Sequence, residues 1–301
     1  MIDQAKNLRA MVRDANREPS RTAPPPTVTG KKGVTATPCR SIAITSGKGG
    51  VGKSHTTISL AVALTRLKKQ VVVFDGDLGL ANIHIMLGIA PKYNLSHVIN
   101  EECSLSEIIC TGPGGITIIP GASGILSLAN LESLRLESLV RELSNLEAAY
   151  DFLLIDGGAG IGQASVQLCS MADSALLVIT PEPTSLADAY STAKILFAKG
   201  VTDIRVLVNM AENDKDGQEM FAKLQSLVRN FLDRSITCTG IIPYDKSISR
   251  YIRAQKNICI ERQSAPVSVR IQNCARRLCG MQPIRESGFF VRLFTQQLQK
   301  G

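Results

Sequence analysis

Gly47 to Ser54 reads GKGGVGKS, an order suited to holding a polyphosphate. Glycines let the backbone curl so that successive N–H groups face inward. A helix directly after them adds its own unpaired N–H groups and its dipole. The residues match G-x-x-x-x-G-K-[ST]: Lys53 reaches the β and γ phosphates, and Ser54 holds Mg²⁺. Asp75-Gly76-Asp77 and Asp156-Gly157-Gly158 each follow a short aliphatic run. Aspartates at strand ends beside a phosphate loop suit magnesium binding and the positioning of a water. Asn209 also ends an aliphatic run, and its amide offers the donor and acceptor needed to read an adenine edge.

These groups need a rim to stand on. Within Ile42–Thr57 the order is strand, glycine loop, helix. A helix is expected over 56–68, with Ile58, Leu60, Ala61, Leu64 and Leu67 inward. Strands are expected at 71–75, 116–119, 151–156, 174–180, 203–209 and 237–242, and helices at 132–147, 186–197 and 219–232, with a helical excursion over 95–111. Leu136, Leu139, Val140, Leu143 and Leu146 form the apolar side of the 132–147 segment. Strict alternation of strand and helix predicts one α/β domain, doubly wound around a mostly parallel sheet. Right-handed crossovers then bring the strand-end polar residues to one rim.

Composition excludes several classes. No stretch is long and apolar enough to span a bilayer, and the polar, charged start from Asp3 to Arg21 does not read as a secretory leader. The 8 cysteines lack pairwise metal spacing, so free thiols and a cytoplasmic setting are expected rather than an iron–sulfur scaffold. A net charge of +8 permits an acidic partner without specifying one.

The chain divides into residues 1–17, a linker over 18–40 rich in Pro, Thr and Gly, a nucleotide domain over 41–275, and a basic segment with a final helix over 276–301. In the first segment Ile2, Ala5, Leu8 and Val12 share one side of a short helix, which suits docking on a partner or packing on its own domain. Arg250, Arg253, Lys256, Arg262, Arg270, Arg276, Arg277 and Arg285 are candidates for a basic surface that meets nucleic-acid phosphates, or for a solvated helix face. Over 287–300 the residues Phe289, Phe290, Leu293, Phe294 and Leu298 give an amphipathic segment able to lie in a membrane interface or to pack over the core.

Gly47, Lys48, Gly49, Gly50, Val51, Gly52, Lys53 and Ser54, with His55 beside them, resemble the deviant Walker A of the MinD/ParA group of dimeric P-loop ATPases, a branch of the SIMIBI class. The resemblance implies ATP and Mg²⁺ as cofactors, and an ATP-bound homodimer in which Lys48 crosses to the partner's phosphates. It further implies Asp77 as the water-positioning residue, Asp156 with Ser54 and Asp77 on the magnesium side, and Asn209 on the adenine. Asp3-Gln4-Ala5-Lys6-Asn7-Leu8-Arg9 resembles the DQAxxLR activator motif of the FlhG (FleN, YlxH) branch. That implies docking through Asp3, Gln4, Ala5, Leu8 and Arg9 on the signal-recognition-type GTPase FlhF, with Gln4 in the partner's catalytic region, and a role in flagellar number and placement. The branch also implies contacts with flagellar switch-complex proteins and a flagellar transcription activator. It places the protein peripherally and at a pole, on the anionic cytoplasmic face of the inner membrane. The chain departs from the pattern at His55, His84 and Gly158, the last standing where proline is usual. Competing expectations are a partition-type ATPase holding nonspecific DNA and a binding module that barely hydrolyses ATP.

Overall fold

Side chains alternate along β1 (Arg40–Ser46), with Ile42 and Ile44 entering one core and Ala43 the other. The strand is buried on both faces, as expected of a central strand in a parallel sheet. In the computed structural model the described residues are 38–77, 83–121, 141–160 and 162–283. The expected docking segment at 1–17, most of the linker, the terminal helix at 287–300 and the first part of the helix expected at 132–147 lie outside them; residues 141–147 are helical.

Among the described residues the sheet has eight strands in the order β3-β4-β2-β5-β1-β6-β7-β8. Besides β1 they are β2 (Val71–Gly76), β3 (Cys110–Thr111), β4 (Thr117–Ile119), β5 (Phe152–Ala159), β6 (Ser174–Ile179), β7 (Ile204–Ala211) and β8 (Thr237–Pro243). Every pairing is parallel except β3 with β4 at the edge. On one face lie α1 (Lys53–Arg66), α9 (Ile258–Glu261) and α10 (Pro266–Leu278), preceded in the chain by α8 (Ile248–Arg253). The other face carries α5 (Gln163–Met171), α6 (Pro183–Ala198) and α7 (Asp214–Leu232). Short helices α2 (Ile83–Met86), α3 (Leu95–Ile99) and α4 (Leu105–Ile108) link β2 to the edge hairpin.

The doubly wound architecture is as the sequence predicts, with local corrections. The excursion over 95–111 ends in β3 rather than in helix, because Cys110 and Thr111 pair with Ile118 and Thr117. β5 does not stop at Asp156: Gly157 pairs with Gly76 and carries the strand on to Ala159. Asn209 stands two residues inside the end of β7. The domain continues beyond 275, since Ala275 and Leu278 of α10 are buried in the core that α10 shares with α1.

Candidate nucleotide and magnesium site

β1 delivers the loop at Gly47 and α1 takes it up at Lys53. Two glycines here have steric reasons. A Cβ on Gly47 would stand 2.5 Å from the carbonyl carbon of Asp188, so the loop leaves β1 pressed against α6. Gly52 holds φ 88° at the start of α1, a left-handed conformation, and a Cβ there would meet the Asn209 amide nitrogen at 2.6 Å. Asn209 is itself buried and donates through Nδ2 to the Val51 carbonyl at 2.8 Å. One N–H of its amide therefore pins the phosphate loop. Ser46 Oγ donates to the Lys48 carbonyl at 2.7 Å and fixes the other end of the loop.

Parallel register between β2 and β5 sets Asp75 beside Asp156. Both are about 1% exposed. Asp156 Oδ1 accepts from Thr57 Oγ1 at 2.9 Å, and Thr57 also donates to the Lys53 carbonyl at 3.1 Å. Burial raises the pKa of Asp156, against the hydrogen bonds from Ser54 and Thr57 and the charge of Lys53. Burial likewise pushes Asp75 up to about 7, and the charges of Asp156 and Asp77 add to the rise. Asp75 Oδ2 accepts from the Ile83 N–H at 3.1 Å, while Oδ1 has no hydrogen-bond partner among the described residues. Asp77 is half-buried, with Oδ1 3.7 Å from where a Cβ on Gly158 would stand. Ser54, Asp77 and Asp156 are thus brought together, as the sequence predicts.

This donor set fits Mg²⁺. It consists of hard oxygens, its carboxylates repel one another, and beside it the buried Asp75 Oδ1 lacks a partner among the described residues. Among the described residues no group of three His, Cys, Asp or Glu could hold a metal ion.

Lys48 does not reach toward the loop's own contents. Its Nζ donates to Glu182 Oε2 at 2.8 Å and lies 3.4 Å from Thr184 Oγ1, just after β6. The Glu182 carboxylate raises its pKa, chiefly through that hydrogen bond. Of the departures from the family pattern, His55 is buried, held neutral by burial with its pKa lowered to about 4, and its Nε2 has no partner among the described residues. His84 is also lowered by burial. A Cβ on Gly158 would make only an ordinary contact, with Asp77 Oδ1 at 3.7 Å, so packing does not demand a glycine there.

Sequence reasoning missed Thr57, Glu182, Thr184 and Asp188. The Pro181-Glu182-Pro183 turn after an aliphatic strand was the available signal for the second and third. The basic residues beyond 244 do not present one free patch: Arg270 pairs with Asp214 at 2.7 Å, Lys256 with Glu261 at 3.3 Å, and Arg277 donates to the Thr239 carbonyl.

Two outcomes follow from this geometry. Thr57→Val removes a donor from a buried carboxylate, which costs on the order of 1–3 kcal/mol; calorimetry should show Mg²⁺-dependent ADP binding weakened about tenfold or more, with binding in chelator changed little. Asp75 has a folded-state pKa near 7, above its ordinary 3.8, so the stability it contributes is full below about 4 and is lost as pH rises through 7. Urea unfolding of the nucleotide-free protein should therefore lose stability between about pH 4 and 7, and Asp75→Asn should flatten that slope.

A family profile described as "ParA: NUBPL iron-transfer P-loop NTPase" matches residues 39–279. The chain is 40% identical over 222 residues to the antiactivator FleN of Pseudomonas aeruginosa, covering 73% of this chain and 79% of the relative. It is 35% identical over 227 residues to the flagellum site-determining protein YlxH of Helicobacter pylori, covering 75% and 76%. Among solved structures, the MinD cell division protein of Aquifex aeolicus superposes with a TM-score of 0.65 at 27% identity, over 83% of this chain and 100% of that one. The phosphate loop with its second lysine, the strand-end carboxylates and these matches have one reading: the chain belongs to the MinD/ParA family of deviant Walker A P-loop ATPases and is closely related to the flagellar regulators FleN and YlxH.

Proposed function

We propose that this ATPase is a nucleotide-operated switch that sets flagellar number or placement. Family membership gives the site ATP with Mg²⁺ as its ligands and ATP hydrolysis as its activity. The observation that carries the switch reading is Lys48, held on Glu182 at 2.8 Å rather than over the loop that its own chain supplies. A cation placed there is available to a second copy. When two ATP-bound copies close face to face, Lys48 leaves Glu182 and meets the partner's phosphates, where charge accumulates as the γ phosphoryl departs. Lys53 holds the β and γ phosphates from within the chain. Asp77 orients the attacking water, and Asp156, kept in place by Thr57, anchors the magnesium side. Bound Mg²⁺ supplies charge neutralisation between the phosphates.

The flagellar assignment draws on the similarity to FleN and YlxH and on the DQAxxLR pattern at Asp3–Arg9. In this reading Gln4 enters the catalytic region of the GTPase FlhF and orients water with an uncharged carboxamide. Phe289, Phe290, Leu293, Phe294 and Leu298 touch the anionic inner membrane, and dimerisation doubles that weak contact. Switch-complex proteins and a flagellar transcription activator complete the set of partners. No helix among the described residues is long and apolar enough to cross a membrane.

Mixing the full chain with FlhF should raise GTP turnover, and Gln4→Ala should abolish the rise while leaving ATP binding intact; stimulation by the variant equal to that of the parent would remove the flagellar-GTPase assignment. Lys48→Ala should bind ATP as a monomer but fail to dimerise in sedimentation, with hydrolysis reduced about a hundredfold or more.

A further inference from the structure

The end of the sheet opposite the phosphate loop carries a second built feature. A cavity of about 440 Å³ opens there, lined by Phe197, Val201 and Thr202 from the end of α6 and its turn and by Arg229, Asp233 and Arg234 from the end of α7 and its turn. That volume falls within the range of sites that take a ligand or an anchoring side chain. Thr202 and Ser235 precede β7 and β8, whereas the phosphate loop follows the carboxyl end of β1, so the sheet stands between the two sites. At eight residues, β7 alone separates the rims by about 26 Å.

Three observations give the cavity a chemistry. Among the described residues neither Arg229 nor Arg234 makes an ion pair or a side-chain hydrogen bond, and both are exposed. Lys199, also exposed, stands next to Gly200 of the lining, so Asp233 is outnumbered. Beside the cavity Phe231 is 70% exposed, and its ring meets Tyr190 edge-on at 6.3 Å. Tyr190 and Phe197 are seven apart on α6 and share a face. The chain has only 8 Phe and 5 Tyr and no Trp; Phe197 lines the cavity, and Phe231 stands two residues before Asp233 of its lining. An exposed phenylalanine beside two arginines matches the aromatic and arginine enrichment of interface centres.

We infer that this rim is a docking surface for an acidic segment of a partner protein, which places an apolar side chain in the cavity and its carboxylates on Arg229 and Arg234. The chain's own ends are the wrong sign: residues 1–37 hold seven Lys or Arg against three acids, and residues 284–301 hold three against one. A second copy closing over the phosphate loops leaves this rim uncovered. Docking here therefore proceeds in both nucleotide states, unlike any contact that depends on the dimer face.

The test pans a random dodecapeptide display library on the full chain, once with ADP and once with a non-hydrolysable ATP analogue. Enriched peptides should carry several Asp or Glu around one Leu, Ile, Met or Phe, and should be recovered equally with either nucleotide. A fluorescein-labelled synthetic copy should bind by anisotropy, weaken as salt rises, and lose about tenfold or more in affinity with Arg229→Glu combined with Arg234→Glu. Phe231→Ser should weaken it as well. ATP turnover and the thermal midpoint should be unchanged in these variants; if the charge reversal impairs folding, Arg229→Gln with Arg234→Gln serves in its place. No enrichment, enrichment of peptides without acids, or equal binding to the arginine variants overturns the proposal. So does loss of binding to phosphatidylglycerol vesicles in the arginine variants with peptide binding untouched, since that makes the rim a membrane contact. None of these outcomes depends on whether Gln4 stimulates a GTPase.

Discussion

Two neighbouring parallel strands put Asp75 and Asp156 side by side with almost no access to water, and the rest of the site answers that like-charge contact. Ionised carboxylates this close and this buried are unstable unless something positive or proton-donating joins them. Thr57 and Ser54 donate to Asp156, and Lys53 adds its charge from the start of α1. Asp75 receives backbone N–H groups of Ile83 and Asp77, which do not offset its burial, and it keeps a proton up to about pH 7. In the proposed site a magnesium–nucleotide complex would bring a cation to this carboxylate pair, which would couple binding to proton release.

That coupling has a mechanical side. Ile83, whose N–H meets Asp75, begins α2, directly after the segment that follows Asp77. A change in the charge of Asp75 therefore acts on the chain leaving the site as well as on the ligands within it. Gly157 pairing with Gly76 keeps β2 and β5 joined past the aspartates, so the two strand ends move as one. The loop is held from the other side by Asn209, whose amide bonds Val51 and closes on Gly52. The phosphate cradle is thus clamped by β7 and aligned by β2 and β5, with α1 behind it.

Much of this was legible in the sequence because it is local. A glycine loop between an aliphatic run and a helix has few folded alternatives, and alternation of strands and helices fixes the rim on which Asp77, Asp156 and Asn209 stand. What escaped is long-range pairing. Thr57 reaches Asp156 across 99 residues, and Lys48 reaches Glu182 across 134. Nothing in the spacing of either pair announces the contact. Asn209 shows a subtler limit: its position near the rim was readable, but not that its donor is already engaged by the loop. The length of β5 was misjudged because glycines after an aspartate suggest a turn, whereas here pairing with β2 outweighs the low strand preference of glycine.

The pairing of Lys48 with Glu182 matters through its weakness. Both side chains are substantially exposed, at 42% and 57%, so solvent screens their attraction and little stability rests on it. A buried pair would lock the lysine in place, because separating it would strand a charge in a low dielectric. An exposed pair does the opposite: Lys48 can exchange Glu182 for a stronger electrostatic partner at low cost, as the proposed switch requires. A polyphosphate brought by a second copy carries more charge than one carboxylate. The lysine can therefore change partners at low cost, with specificity set by whether that second phosphate is present. In the proposed switch the moving cation, Lys48, stands at the surface while Asp156 lies deep in the sheet, which separates what must move from what must stay fixed.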